Sequence, residues 1–444
     1  MALDVMVMKG LCLSCHPNRN HRILAQGAVL LAATLCGPIQ AQDEKPVAAN
    51  QRVISFGDDM LNYRATKPAG PVARLKERLA RGEASLDFDE RFGYLLSVLR
   101  EFDIPLSSQM LVFTKTSLQR PNISPKSPRA VFFNDEVYVA WAPDAPLLEL
   151  STAEPKMGGV WYKLRQKKVE NPRFARDNRC LECHVTSKTM GVPGHLIRSM
   201  IPDETGKINL LDSRRQVTQD TPFEERWGGW YVTGTHGDQH HLGNLFGAAD
   251  RDRVDREPDF RSNLTDLKPF FNVAAYPAAT SDIVALMVFE HQVHMHNLIT
   301  LLNYESRVHL ARYGHVNYLK GLTDDFVKYM LFANESKITD PIAGNSDFTE
   351  RFAARGPRDK KGRSLRELDL QTRLFKYPCS YLIHSQAFDG LPKPIKKQVY
   401  RRLWEALNAK GGGPSGAGVG KDARAAIIEI LKETKSDLPV YWSL

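Results

Sequence analysis

The sequence predicts an α+β fold, with strands concentrated in its first half and helices in its second. Two observations carry that reading. Between Met110 and Leu164, short runs rich in Val, Phe, Tyr and Trp alternate with turn residues. From Ser281 onward, apolar residues recur at three- and four-residue spacing over long stretches.

Residues 1–41 read as a cleaved signal peptide. Ile23–Ile39 is its apolar core. It holds Gln26, Gly27, Gly37 and Pro38, which suit a leader better than a spanning helix. Arg19, His21 and Arg22 precede it as a basic region, and Ala41 is the small residue a signal peptidase needs. An uncleaved anchor is the alternative. Residues 42–70 are polar and contain prolines, so they read as a flexible arm.

An α+β region follows at 71–275. Val72–Arg81 and Phe88–Phe102 have helical spacing, as in Phe92, Leu95, Leu96 and Leu99. Met110–Thr116 reads as a strand. Ala130–Phe133 and Glu136–Val139 flank Asn134-Asp135, a turn pair, and so predict a hairpin. Leu147–Thr152 and Gly159–Leu164 read as longer strands, Ile197–Ile201 and Trp230–Thr235 as short ones. Residues 276–444 read as a helical region. Its first helix is Ser281–Arg307 with Ser281 or Asp282 as N-cap. Further helices are expected at 323–334, 364–376, 393–408 and 422–434. Gly411–Lys421 ends in Gly-Val-Gly-Lys but lacks the first glycine and the hydroxyl residue of a phosphate loop, so it reads as a linker between helices.

The chain has 444 residues, 42% hydrophobic and 25% charged. That composition excludes a disordered, collagenous or polytopic membrane protein. The formal net charge of +9 favours acidic partners. No nucleic-acid-binding motif accompanies it.

Six cysteines occur, and export would remove Cys12, Cys15 and Cys36. The remaining Cys180, Cys183 and Cys379 are an odd number and make no disulfide framework. Cys180-Leu181-Glu182-Cys183-His184 is instead a C-x-x-C-H haem-attachment sequence. Two thiols three positions apart reach the two vinyl groups of one porphyrin edge. The next residue, His184, is then the proximal iron ligand. Such attachment takes place outside the cytoplasm, so the leader and the motif support each other. A redox dithiol does not need the histidine, and a zinc site needs a second Cys/His pair that does not follow. A second copy, Cys12-Leu13-Ser14-Cys15-His16, precedes the leader core and reads as a decoy, with a second haem site as the alternative where the leader reading fails.

The sixth iron ligand separates carrier from catalyst. His291 is the first choice, because Val284, Met287, Val288, His291, Met295, Leu298 and Leu302 share one helix face and a buried imidazole needs a partner. His236, His241 and Met295 stand behind it, and Met200 and His195 are further options. Glu290, His291 and His294 are an alternative non-haem metal set. Haem propionates need cationic partners. Arg198 and Arg226 are chosen for this from a group that includes Arg179, Arg214 and Arg215. Cys379 reads as a buried inert thiol.

Phe223-Glu224-Glu225-Arg226-Trp227-Gly228-Gly229-Trp230-Tyr231-Val232-Thr233-Gly234-Thr235-His236-Gly237, following C-x-x-C-H, resembles a group of exported bacterial proteins known as cytochrome-c-domain-containing. Glu290-His291-Gln292 and Tyr377-Pro378-Cys379-Ser380-Tyr381-Leu382-Ile383 extend the resemblance, which covers most of the chain from about residue 85. It implies one covalent haem c and a periplasmic setting, and no particular reaction. The expected function is therefore electron transfer by a periplasmic c-type cytochrome with an acidic redox partner. A haem-dependent, peroxidase-like oxidoreductase with an open distal site, and a haem-based sensor or assembly subunit, are the alternatives.

Overall fold

The computed structural model describes residues 61–208, 215–409 and 418–443. The leader, the Cys12–His16 motif, Arg214, the side chain of Arg215 and most of the Gly411–Lys421 linker lie outside the described residues. Helices α1 (Pro71–Ala80) and α2 (Leu95–Glu101) come first. The second is shorter than its spacing suggested. Asp89 Oδ1 accepts from the Arg91 and Phe92 amides, and Gly93 adopts a positive φ of 59°, so the chain turns before the helix starts.

Seven strands form an antiparallel sheet: β1 (Met110–Val112), β2 (Arg129–Phe133), β3 (Val137–Trp141), β4 (Leu147–Glu154), β5 (Gly158–Arg165), β6 (Ala175–Arg176) and, much later, β9 (Trp230–Tyr231). Their order is β6-β5-β4-β3-β2-β1-β9. A separate ribbon pairs β7 (Arg198–Ser199) with β8 (Arg215–Gln216). The hairpin at Asn134-Asp135 forms as expected. Asn134 Oδ1 accepts from the Glu136 and Val137 amides at 3.0 and 2.9 Å and so closes the turn with its own side chain.

Alternation along the strands splits the apolar side chains between two cores. Ala130, Phe132, Val137, Val139 and Trp141 join the core that includes α1 and α2. Val131, Phe133 and Tyr138 join the one that includes the C-terminal helices. On that second face, Phe133, Tyr138, Ser151 and Trp161 lie directly opposite one another on successive strands.

The remaining helices are α3 (Leu181–His184), α4 (Gly247–Val254), α5 (Ile283–Tyr313), α6 (Lys320–Met330), α7 (Phe348–Ala354), α8 (Gln386–Asp389), α9 (Lys393–Asn408) and α10 (Lys421–Thr434). Asp282 caps α5, accepting from the Val284 amide at 2.8 Å, and Gly314 in the left-handed region ends it. Every residue of α5 from Ile283 to Val293 is buried, as befits a helix at the centre of a core.

The expected helix at 364–376 is absent. Ser364, Asp369 and Glu367 side chains bond to nearby backbone amides, including Asp369 Oδ1 with Gln371 and Thr372, and this holds a looped ribbon in its place. Residues 61–70 are also not a loose arm. Arg176 donates to the Tyr63 and Thr66 carbonyls, and the Gly70 amide donates to Glu154, which ties this segment to the sheet. No helix among the described residues is long and apolar enough to cross a membrane.

Candidate functional site

The C-x-x-C-H motif begins on a single 3-10 turn, Asn178–Cys180, and continues into α3. Asp177 starts it. Its carboxylate accepts from the Arg179 amide at 3.2 Å and from the Arg179 and Lys163 side chains. The Arg179 guanidinium, first of these, holds the Asp177 carboxyl well below the usual range. One helical turn then sets Cys180, Cys183 and His184 on adjacent faces.

Both thiols are free rather than joined in a disulfide; Cys180 is half-buried and Cys183 exposed. Burial pushes the Cys180 thiol up to about 12, with Asp177 and Glu149 adding to the rise. A nucleophilic redox cysteine needs the opposite shift, so Cys180 is not set up as one.

His184 carries the informative hydrogen bond. Its Nδ1 lies 2.9 Å from the Gly194 carbonyl oxygen. A carbonyl can only accept, so Nδ1 bears the proton and Nε2 the lone pair. Among the described residues Nε2 has no hydrogen-bond partner. Burial, then repulsion from Arg129 and Arg198, lowers the imidazole to about 4, so it is neutral near pH 7. A neutral imidazole with an oriented Nδ1–H and a free Nε2 is what an iron ligand requires.

The Gly194 carbonyl is itself held in place. Asn297 of α5 brackets the next residue, accepting from the His195 amide at 2.9 Å and donating to the His195 carbonyl at 2.8 Å. A Cβ at residue 194 would collide with the Asn297 amide and come within 3.2 Å of Thr189 Cβ. Gly194→Ala is therefore expected to cost about 1–3 kcal/mol through overpacking. Because it displaces the His184 acceptor, it should also perturb the spectrum of any chromophore that His184 would ligate. Urea unfolding and the visible spectrum check both effects.

Trp161 packs against His184 at a ring-centroid distance of 4.9 Å, and His195 lies 5.4 Å from Trp161 and 6.3 Å from His184. His195 Nε2 bonds to Ser151 Oγ at 2.8 Å. The Arg198 guanidinium has no hydrogen-bond or ion-pair partner among the described residues, and its charge reaches His184. Arg129 pairs with Glu149 at 3.3 Å on the same side of the sheet. Arg198 thus has a guanidinium to offer a propionate, and Arg129 adds positive charge beside it.

The other expected site residues are not assembled here. Arg226 is enclosed and committed: it pairs with Glu290 and donates to the Thr221 and Gln219 carbonyls at 2.8 and 3.0 Å. That corrects its assignment as a propionate clamp. His291 is also spent, with Nδ1 2.6 Å from Gln219 Oε1 and Nε2 2.8 Å from Ser380 Oγ. Its ring stacks on Phe332 at 4.4 Å, with no solvent exposure. It has no free nitrogen for iron, which corrects the first choice of distal ligand. Met295 is sealed in the core around α5.

His236 and His241 sit 4.8 Å apart beside Phe223 and Trp227, where His236 Nε2 accepts from the Asn263 amide and His241 Nδ1 from the Gly243 amide. They make no ring contact with His184. Met200 is buried, and its backbone lies against Gly228. Among the described residues no group of three metal-ligating side chains forms, and Glu290 of the non-haem set is taken by Arg226. Cys379 is buried, and burial alone pushes its thiol up to about 12.

Trp161, Arg129 and Gly194 were not singled out from the sequence. Trp161 and Arg129 reach the site through strand register. Only the glycine and proline in Gly191-Val192-Pro193-Gly194-His195 gave a local sign that the chain turns back on the motif. Comparisons with protein-family models, with curated proteins and with solved structures give no match.

Proposed function

We propose that this protein is an exported c-type cytochrome. One haem is held by thioethers from Cys180 and Cys183, with His184 as the proximal iron ligand, and it passes electrons to or from an acidic protein partner in the periplasm. The observation that carries this reading is the His184 hydrogen bond to Gly194, which leaves Nε2 with a lone pair and no protein partner. Two reduced, uncommitted thiols stand beside it, as thioether formation requires. When bound, the haem supplies one-electron redox chemistry. The chain's own residues orient the imidazole through Gly194, cover one side of it with Trp161 and offer Arg198 to a propionate.

A second reading, a haem-dependent oxidoreductase with an open sixth position, is favoured by one observation. His291 has both ring nitrogens engaged, so the strongest sequence candidate for closing that position is unavailable. The visible spectrum of the purified protein tests both. A low-spin reduced spectrum unchanged by carbon monoxide supports the carrier, and a high-spin iron that binds carbon monoxide supports the oxidoreductase. Haem colour that washes out in acid acetone would refute both.

A further inference from the structure

We infer that Tyr138 is a redox-active tyrosine, with His296 as its proton acceptor and the His195–Trp161 pair as its link to His184. The inference rests on the second, open-site haem reading above for its oxidant, and on geometry for everything else.

The orientation of the hydrogen bonds can be derived. Gln292 Nε2 lies 2.8 Å from the Asn134 carbonyl and 3.0 Å from the Tyr138 hydroxyl, while Gln292 Oε1 lies 2.6 Å from the Tyr381 hydroxyl. A carbonyl cannot donate, so the Asn134 contact fixes which end of the amide is nitrogen. Gln292 therefore donates to Tyr138, and the Tyr138 proton is directed elsewhere. Its remaining partner is His296 Nδ1, at 2.7 Å. His296 Nδ1 is then the acceptor and Nε2 carries the hydrogen, buried and without a partner.

Tyr138 and His296 are both buried, at 5% and 2% exposure. Burial raises the Tyr138 phenol far above its ordinary value, so it does not ionise by itself. Burial lowers His296 to about 4, so the imidazole is neutral and its Nδ1 lone pair is available. A phenol that has lost an electron is far more acidic than any imidazolium, so the proton crosses this short bond as the electron leaves.

The path out is a row of rings. Tyr138 lies 4.5 Å from His195, His195 5.4 Å from Trp161, and Trp161 4.9 Å from His184. Strand register produces it: Tyr138, Ser151 and Trp161 are cross-strand neighbours, and His195 is bonded to the middle one. When Tyr138 is oxidised, its O–H bond breaks and an N–H bond forms at His296 Nδ1. The electron crosses His195 and Trp161 toward His184, the residue that would hold the haem. A haem there would relay it to hydrogen peroxide, which would take two electrons and two solvent protons to give two waters, one electron from Tyr138 and the other from the haem itself.

The experiment is electron paramagnetic resonance of the haem-loaded protein, frozen after hydrogen peroxide and, separately, after flash oxidation by a ruthenium(III) polypyridyl. Wild-type protein grown on ring-deuterated tyrosine should show a tyrosyl radical with collapsed ring-proton splittings, and Tyr138→Phe should lose it. A radical of equal yield in Tyr138→Phe overturns the assignment. So does a wild-type signal whose splittings ignore the label, which needs no variant to fold. A tyrosyl radical at Tyr138 under the ruthenium flash but not under peroxide upholds the tyrosine and places the failure on the open-site haem reading. No tyrosyl signal under either oxidant overturns the inference.

Discussion

Replacing both Cys180 and Cys183 with alanine is expected to yield a colourless chain whose denatured mass lacks one haem. The two thiols share one turn of polypeptide, and neither is diverted into a disulfide. Their surroundings differ, so the single variants should differ too. Cys180 packs against the core that includes α1 and α2, and Cys183 faces solvent. In the haem-free chain, Cys183→Ala removes an exposed atom and should leave stability within about 0.5 kcal/mol of the parent, as surface substitutions do. Cys180→Ala should also loosen packing. His184→Ala should keep the thioethers and lose the proximal ligand, so its colour survives denaturation while its spin state changes. Mass spectrometry and the reduced spectrum separate these outcomes. A double variant that still carried haem through denaturation would exclude the attachment proposed.

The second large effect concerns Arg226 and Glu290, 3% and 1% exposed. Glu290→Leu should destabilise the fold by about 3–5 kcal/mol, because it strands a buried guanidinium. It also removes the acceptor of the Trp227 indole N–H, 3.1 Å from Glu290 Oε2. Arg226→Met should cost at least as much, since it deprives the Thr221 and Gln219 carbonyls of their donor and leaves Glu290 alone. With folding free energies of about 5–15 kcal/mol for proteins in general, either loss is a large fraction of the total. The double variant should recover much of the cost, because no charge is then left buried. Urea midpoints of the four proteins form the cycle that checks it. If Glu290→Leu left the midpoint unmoved, the pair would not be a fixed part of the core.

This pair also shows where the sequence stopped being readable. Arg226 lies inside the run that carries the family resemblance, and its guanidinium was assigned to a propionate. Nothing local distinguishes a buried arginine that meets a carboxylate 64 residues away from one that meets a ligand. The same holds for His291. Its place on an apolar helix face was legible, and so was its need for a partner. The partners, Gln219 and Ser380, come from 72 and 89 residues away and are invisible to spacing.

Local signals fared better. Asp282 caps α5, Asn134 closes the hairpin, and the helix expected at 393–408 runs Lys393–Asn408. The helix at 364–376 failed because spacing counts apolar residues and overlooks Ser364 and Asp369, whose side chains compete for the backbone. The C-x-x-C-H pattern can be read as a motif because its five residues are consecutive. The ring row beside it was not, because strand register assembles it.

Asn297 grips His195 across 102 residues of sequence. Closing a loop of that length costs entropy that the folded contacts have to offset. The orientation of the His184 acceptor therefore depends on the docking of the long central helix as well as on the motif's own turn.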